Sequence, residues 1–318
     1  MKLNFICLAS GSSGNCFYLG TDNYGILIDA GIPVRSIKNG LKDAGLSFDS
    51  IMGVFVTHDH ADHIKSLGTL GERYNIPIYA TRETHVGINR NYCMTQKLVS
   101  CMRYVEKDET HRLRDFHITP FEVPHDGTDN VGYLVECDGK VFCFITDLGH
   151  ITDTVASYIA RAHYLVIEAN YDEEMLAHGP YPQYLKDRIT GPNGHLSNKT
   201  TAKFLAANLM EHLKYIWLCH LSRENNHPEL AYKTVEWISQ FFSLSSCSTA
   251  SFAIGSPTAQ MDNAIKISSV CKRGLVEPIW LTFKRWIGSI MVGEMSSILS
   301  GISPNIFKAF NKHAAEAP

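Results

Sequence analysis

The 318-residue chain lacks the features that would place it in an oxidising compartment or across a membrane. Its nine cysteines are odd in number and form no CxxC pair, which argues against a disulfide framework and for a reducing compartment. The apolar run at the N-terminus is too short for a secretory signal, and no run of about 20 uncharged apolar residues follows. We therefore predict a cytoplasmic protein without a membrane span.

A strong charge of either sign is also missing. The formal net charge is −3, so no overall basic field indicates a nucleic-acid partner. The sequence contains no GxxxxGK loop, so nucleotide triphosphates are not implied, and it has no internal repeats. With 45% hydrophobic and 19% charged residues, the composition is typical of a globular protein with a packed core.

Short apolar runs separated by turn residues predict two β-rich halves. The first half begins as a β-meander over the first 30 residues, and a second series of strands occupies residues 117–146. Helical segments follow each half, including one after residue 197 that Ser197 or Asn198 caps. Two such halves predict two sheets packed face to face with helices outside, a four-layer αββα sandwich with mixed α/β composition.

The character of the sequence changes at Ser243, where a serine-rich stretch begins. We predict one folded domain over residues 1–242 and a C-terminal extension of uncertain structure over residues 243–318. An amphipathic helix pair and a membrane-surface segment are the alternatives for that extension.

The densest chemical signal is the segment VFVTHDHADHI, residues 54–64. It predicts a buried strand followed within six positions by His58, His60, Asp62 and His63. Imidazoles and carboxylates at a strand end are costly to bury unless something binds them. The spacing suits ligands around one or two divalent ions, and a solvated histidine-rich strand end is the alternative.

Single histidines and aspartates stand at the ends of later apolar strands in the same way. Together with the first cluster they predict two three-ligand sites that share a carboxylate. The predicted ligands are His58, His60 and His125 at one ion, Asp62, His63 and His220 at the other, and Asp147 between them. Imidazole and carboxylate without thiolate favour two zinc ions, with manganese or iron as alternatives.

These motifs resemble those of the metallo-β-lactamase-fold hydrolases. THDHADH looks like the HxHxDH signature of that superfamily, and LIDAG, VPHDG, ITDLG and LCHLS look like its remaining motifs in the expected order. More narrowly, LASGSSGNCFYL, GHLSN and CHLSRENNHP resemble the YycJ/WalJ-like branch, whose members are regarded as DNA exonucleases. The resemblance covers about residues 1–242 and implies nothing about the extension.

The resemblance implies a dinuclear metal-dependent phosphodiesterase that acts on DNA, with a hydroxide held between the two ions as the attacking group. Asp62 is expected to orient that group as well as to bind metal. Phosphodiesterases of the superfamily also use a histidine as general acid, and the matching residue is His195, with Glu168 as its carboxylate partner. The alternatives are a surface residue near a helix cap for His195 and a structural strand-end acid for Glu168.

Two segments are candidates for contact with substrate phosphate. The SGSSGN loop offers small residues and backbone amides, as anion-binding nests do, although a plain hairpin turn is its alternative. The second segment, SRENN, follows the last predicted ligand. The candidate residues are Ser12, Ser13, Asn15, Ser222, Arg223 and Asn225. Because the body of the chain is acidic, DNA would have to be held locally, and the basic stretch 82–114 is a candidate.

Other functions use the same ligands. A small-substrate hydrolase of the lactonase or thioesterase type needs the metals but no groove for a polyanion, and it is the main alternative. A protein that keeps the metals only for folding is disfavoured by the intact ligand set. A redox diiron role is disfavoured because His60 stands where diiron relatives carry an acid. Protein partners and oligomeric state are not predicted.

Overall fold

The computed structural model describes residues 1–208, 210–243 and 251–254. Within them, two mixed β-sheets form the centre of the fold. The first sheet follows chain order: β1 (Asn4–Ala9), β2 (Cys16–Gly20), β3 (Gly25–Ile28), β4 (Ile51–Phe55), β5 (Ile78–Ala80) and β6 (Met102–Tyr104). So does the second: β7 (His111–Leu113), β8 (Phe116–Glu122), β9 (Val131–Cys137), β10 (Lys140–Ile145), β11 (Tyr164–Glu168), β12 (Tyr215–Cys219) and β13 (Ser251–Ile254).

Both sheets change from antiparallel to parallel pairing along the chain. In the first sheet β1 to β3 pair antiparallel, and β3 to β6 pair parallel. In the second sheet β7 to β10 pair antiparallel, and β10 to β13 pair parallel. Parallel neighbours end at the same edge of their sheet, so the loops after β3 and β4, and after β10, β11 and β12, are brought together.

Helices cover the outer face of each sheet. The described helices are α1 (Val34–Asp43), α2 (Ala61–Ile64), α3 (Arg82–Arg90), α4 (Asp153–Ile159), α5 (Glu173–His178), α6 (Gln183–Thr190), α7 (Asn198–Asn208) and α8 (Pro228–Ser243). Buried residues of α1 pack on the first sheet, and those of α4, α7 and α8 pack on the second. Ser197 caps α7, because its Oγ accepts a hydrogen bond from the Thr200 amide at 3.1 Å.

An aromatic layer fills the space between the two sheets. Side chains alternate along each strand, so Phe142 and Phe144 of β10 face the other sheet, whereas Cys143 and Ile145 face the helices. The rings of Phe5 and Trp217 join the two sheets, with their centroids 4.5 Å apart. The four layers confirm the predicted αββα sandwich.

Some local predictions need correction. The histidine cluster is followed by two short helical pieces, α2 and a π-helical turn at Thr69–Arg73. The basic stretch 82–114 forms α3, β6 and β7. Residues 172–193, which we call the α5–α6 excursion, contain two short helices that no pattern predicted. The excursion packs on a small apolar cluster of its own around Tyr171, Leu176 and Ile189.

The predicted domain boundary after residue 242 lies inside the second sheet. Helix α8 ends at Ser243, and β13 then pairs parallel with β12, with Ser251 opposite Tyr215 and Ile254 opposite Leu218. The sheet therefore continues to residue 254. The rest of the predicted extension lies outside the described residues. In the part of the chain that the structure describes, no helix is long and apolar enough to cross a membrane.

A truncation tests the contribution of β13. A chain that ends at residue 242 leaves the edge of β12 unpaired, and such an edge loses backbone hydrogen bonds and promotes association. We expect its melting temperature to be a few degrees lower than that of a chain ending at residue 256. Differential scanning fluorimetry and size-exclusion chromatography compare the two chains with the full-length protein. Equal stability of the two truncations would show that β13 adds nothing to the domain.

Candidate metal centre

The seven predicted ligands lie together at the edge where the parallel strands end. Among the described residues these seven form three overlapping groups with ligand atoms within 4.8 Å of one another: His58, His60 and His125; Asp62, His63 and His220; and His58, His63 and Asp147. A fourth group joins Asp147 and His220 to Glu168 and His195. The third group takes one histidine from each of the first two, which places Asp147 between them. This is the arrangement that the sequence predicts, and metal ligation by these residues stays a prediction.

The hydrogen bonds of the first group leave one lone pair of each imidazole pointing inward. His125 Nδ1 donates to Gly194 O at 2.9 Å, and His60 Nε2 lies 3.3 Å from Asp126 Oδ1. The inward nitrogens, His125 Nε2 and His60 Nδ1, are 3.3 Å apart. Nitrogens at about 2.05 Å from a tetrahedral ion are about 3.3 Å from each other, so this spacing fits a metal between them.

His58 completes the first group. Its Nδ1 lies 3.0 Å from Thr57 Oγ1, which donates its own proton to Asp29 Oδ2 at 2.9 Å. The proton of His58 is therefore on Nδ1, and Nε2 is buried without a hydrogen-bond partner. A buried nitrogen lone pair that no donor satisfies is what a metal ligand requires.

The second group shows the same organisation. His63 Nδ1 donates to Asp29 Oδ2 at 2.7 Å, so its Nε2 faces Asp147 Oδ2 at 3.2 Å and Asp62 Oδ2 at 3.6 Å. His220 Nε2 lies 3.2 Å from Asp62 Oδ2. Asp147 Oδ2 is buried and accepts no hydrogen bond. A buried carboxylate oxygen without a hydrogen-bond donor fits a bound cation.

The carboxylates of this cluster favour protons on two of the imidazoles. Burial lowers the pKa of His63, but Asp147 and Asp29 outweigh it and hold that pKa well above its usual value. Burial also lowers the pKa of His220, while Asp147, Asp62 and Glu168 raise it to about 10. The pKa of Asp147 falls well below its usual value because His220 and His63 outweigh its burial. Divalent cations would replace these protons, since metal binding to such ligands releases them.

His58 and His60 behave in the opposite way. Burial lowers the pKa of each imidazole, and the positive charge of neighbouring histidines lowers it further. Both rings are therefore neutral at physiological pH. A neutral imidazole is the form that donates a lone pair to a metal.

Asp29 organises both groups and was not among the predicted site residues. It is fully buried and accepts hydrogen bonds from Thr57 N at 2.8 Å, from Thr57 Oγ1 and from His63 Nδ1. Its φ of 59° lies in the left-handed region, which aspartate tolerates better than most residues. The signal for Asp29 is its place directly after β3, in LIDAG. Asp126 was also not among the predicted site residues. Its signal is its place next to His125 in VPHDG.

The turn after β3 packs against the histidine-rich turn. A Cβ on Gly31 would lie 1.6 Å from Asp62 O, so only glycine permits this approach. Asn15 N donates to Asp62 O and Ala30 N donates to His63 O, each at 2.8 Å. These backbone contacts fix the positions of Asp62 and His63 before any metal binds.

Two of the predicted substrate contacts are buried in the structure. Asn15 is fully buried, and its side-chain amide donates to Gly11 O at 3.1 Å and lies 3.0 Å from His63 Nε2. It supports the loop and the metal centre, because asparagine in such a turn bonds the local backbone. Asn225 is also buried, beside Ser222 Oγ.

The remaining substrate candidates differ in exposure. Ser12 and Ser13 are exposed at the tip of their loop. Arg223 is exposed, and Ser222 is buried; both line a cavity of about 290 Å³ with Ser10. These positions leave Ser12, Ser13 and Arg223 as candidates that solvent can reach.

Glu168 joins His195 to the metal centre. Its fully buried Oε1 accepts hydrogen bonds from His195 Nδ1 at 2.7 Å and from His220 Nδ1 at 2.9 Å. Its Oε2 accepts from the amides of Leu148 and Leu196 at 2.9 and 3.1 Å. Burial lowers the pKa of His195, but Glu168 outweighs it and raises that pKa. The expected pair therefore exists, with its imidazolium stabilised.

Comparisons with known proteins identify the family and the fold. Residues 24–215 match the model of the β-lactamase superfamily domain. The chain is 35% identical over 241 residues to exodeoxyribonuclease YycJ of Bacillus anthracis, covering 75% of this chain and 89% of that protein. It is 36% identical over 228 residues to exodeoxyribonuclease WalJ of Streptococcus pneumoniae serotype 2, covering 72% and 85%. Zinc-bound PqqB from Methylobacterium extorquens has a similar fold, with a TM-score of 0.60 and 17% identity over 81% of this chain and 99% of that one.

The facing sheets, the helical layers and the cluster of histidines and aspartates are those of a metallo-β-lactamase-fold hydrolase, an enzyme class that depends on metal. Within that class the chain belongs to the YycJ/WalJ-like family. The fold and the cluster indicate divalent metal binding.

Substitution of Asp29 tests how the centre is organised. In Asp29→Asn the amide nitrogen would face His63 Nδ1 and Thr57 Oγ1, so both His63 and His58 would be driven to hold their protons on the metal-facing nitrogen. We expect affinity for divalent metal to fall by about 10- to 100-fold, the usual effect of losing such a partner. Competition with a chromophoric chelator measures the metal affinity, and circular dichroism checks that the variant is folded.

Asp22→Asn is the matched control, because Asp22 is exposed and its carboxylate bonds only Asn4 among the described residues. If the two variants bound metal equally well, Asp29 would have no role in orienting the ligands.

Proposed function

We propose that the protein is a dinuclear phosphodiesterase that hydrolyses DNA as an exonuclease, with zinc as its metal. The pair of His195 and Glu168 beside the predicted ligands carries this proposal. The His195 ring lies 5.0 Å from that of His125 and 5.2 Å from that of His220. Its side chain is 18% exposed, and its Nε2 has no hydrogen-bond partner among the described residues. A protonated imidazole is thus available to a substrate that lies over the centre.

The residues divide the work of hydrolysis. When bound, two divalent ions supply positive charge that activates water and neutralises phosphoryl oxygens. Asp147 is placed to be shared by the two predicted sites. Asp62 Oδ2 lies 3.2 Å from His220 Nε2, and its side chain is 24% exposed, so Asp62 could both bind metal and orient the attacking water.

His195 protonates the leaving oxygen in this mechanism. Glu168 holds the Nδ1 proton and stabilises the positive charge of the ring, so the transferable proton is on Nε2. A phosphodiester with a poor leaving group gains most from this arrangement. A thioester releases a thiolate, which needs less protonation than an alkoxide, and for that reason the pair supports the phosphodiesterase over a thioesterase.

The loop after α3 supports a nucleic-acid substrate. Asn91 Nδ2 donates to Asp59 O at 2.8 Å and so ties the loop to the histidine-rich turn. The next residue, Tyr92, is 91% exposed, and Lys97 is exposed on the same loop. An exposed aromatic ring with a nearby cation is typical of surfaces that bind single-stranded nucleic acid. Part of the basic stretch 82–114 thus lies beside the centre, and the names of the two relatives support DNA as the substrate.

Substrate choice gives the first test. The zinc-loaded protein is expected to release nucleotides from end-labelled linear DNA, and to leave covalently closed circular DNA intact because it offers no end. We expect kcat/KM for bis(p-nitrophenyl) phosphate to exceed that for a simple lactone or thioester by about 100-fold or more. Faster cleavage of the lactone would support the small-substrate hydrolase, and cleavage of the closed circle would contradict the exonuclease.

Substitution of His195 gives the second test. His195→Ala should retain its metal and slow DNA cleavage by about 10²- to 10⁴-fold, which is the usual effect of a positioned acid. The loss should be smaller with bis(p-nitrophenyl) phosphate, because that leaving group needs little protonation. The variant and the unmodified protein are compared in their rates on both substrates and in their metal content, which mass spectrometry measures.

His150→Ala is the control for His195→Ala. His150 is an exposed histidine that donates to Pro192 O at 2.7 Å and belongs to none of the ligand groups among the described residues. It should behave like the unmodified protein. An equal loss on both substrates, or loss of metal, in His195→Ala would overturn the role of His195 as general acid.

A further inference from the structure

Helix α6 reaches the metal centre through one ion pair. Arg188 Nε donates to Asp126 Oδ2 at 2.6 Å. The other oxygen of Asp126 lies 3.3 Å from His60 Nε2 and 3.4 Å from His125 Nε2. A single carboxylate therefore separates the Arg188 guanidinium from two predicted ligands. Neither Arg188 nor Asp126 has a role in the hydrolysis described above.

Most of the hydrogen-bonding capacity of Arg188 is unused. Its two terminal nitrogens donate to no group among the described residues, and the side chain is 57% exposed. A guanidinium has five N–H donors in a fork that matches a phosphate, and it is always charged. Holding Asp126 requires only Nε. The terminal nitrogens of the Arg188 guanidinium therefore face solvent beside the predicted ligands, where a phosphodiester chain would pass.

An exposed aromatic ring lies one helical turn from Arg188. Tyr184 is 75% exposed, and residues four apart share one face of a helix. Leu185 and Ile189 form the buried side of α6 and pack in the cluster of the α5–α6 excursion. The acidic residue of the helix, Asp187, accepts a hydrogen bond from Gln183 Nε2 at 2.8 Å. The outward face of α6 therefore carries a cation near the ligands and an aromatic ring about 6 Å farther along the helix axis.

We propose that this face binds the DNA strand next to the scissile phosphate. Arg188 contacts the neighbouring phosphate with its terminal nitrogens, and Tyr184 stacks on the base beyond it. This inference rests on the proposed function and makes it more specific. A base can stack on a protein side chain only when it has left the duplex, so the site takes a single-stranded or frayed end.

Binding measurements test the two contacts separately. Fluorescence anisotropy uses the full-length, zinc-loaded protein and a labelled single-stranded phosphorothioate oligonucleotide, which resists cleavage. Arg188→Gln should weaken binding and reduce the slope of log Kd against log salt by about 0.7, the effect of one lost phosphate contact on a single strand. Arg188→Lys should restore most of that slope. Tyr184→Ala should weaken binding by about 5- to 150-fold with an unchanged slope, since stacking is not ionic.

Matched substitutions at the opposite edge of the molecule are the controls. Arg161 is a half-exposed arginine that pairs with Glu136 and precedes β11, and Tyr74 is an exposed tyrosine that precedes β5. Both therefore lie where the parallel strands begin, away from the centre. Arg161→Gln and Tyr74→Ala are expected to bind the oligonucleotide like the unmodified protein.

A second readout separates substrate contact from a purely structural role. Bis(p-nitrophenyl) phosphate has no neighbouring nucleotide, so Arg188→Gln and Tyr184→Ala should hydrolyse it at nearly the normal rate and keep their metal, while kcat/KM for DNA falls. If Arg188 only held Asp126 in place, Arg188→Gln would lose metal affinity and activity on both substrates, and the proposed contact would be overturned.

Failure of this inference can be told apart from failure of the proposed function. If the unmodified protein cleaves DNA but the α6 variants bind the oligonucleotide like their controls, only the α6 site is wrong. If the unmodified protein neither binds nor cleaves DNA, both proposals are wrong.

Discussion

Five carboxylates lie among six imidazoles at one edge of the fold, and compensation of their charge governs the site. Asp29, Asp147 and Glu168 are almost completely buried, and Asp62 and Asp126 face the same cluster. Such charges leave water only when cations or protons balance them. Protons on His63 and His220 do so in part, and two divalent ions together with the His195 imidazolium beside Glu168 would balance all five. The aromatic layer between the sheets supplies the rigid support that holds the like charges together.

The sequence was sufficient to predict the convergence of these side chains and the layers of the fold for one physical reason. A ligand that directly follows an apolar strand is placed by the strand, and parallel strands end at a common edge. His58, Asp147 and His220 all follow this rule, so their convergence could be expected without a structure. The alternation of residues such as Phe142 and Cys143 along β10 similarly determines which face each sheet turns to its partner. These features are decided by residues that are close together in the sequence, where the periodicity of apolar residues is informative.

Features that depend on distant contacts could not be predicted in this way. The role of Asp29 follows from which nitrogen of His63 faces inward, and packing decides that. Strand β13 is recognisable only through its partner β12, and the eight residues of α6 are too few to show a helical period. Asn15 and Asn225 were expected to reach the substrate because they are polar and close to motifs. Both instead satisfy the backbone and side chains of their own loops.

The α5–α6 excursion, residues 172–193, packs on its own cluster of Tyr171, Leu176 and Ile189 and contributes nothing to the aromatic layer. Its C-terminal end is anchored where Gly194 O bonds His125 and where His195 bonds Glu168. Insertions, deletions or replacement within the excursion would therefore leave the two sheets and the ligands in place. In evolutionary terms it is an exchangeable part. A change on its outward face would alter what this surface contacts without altering the residues of the metal centre.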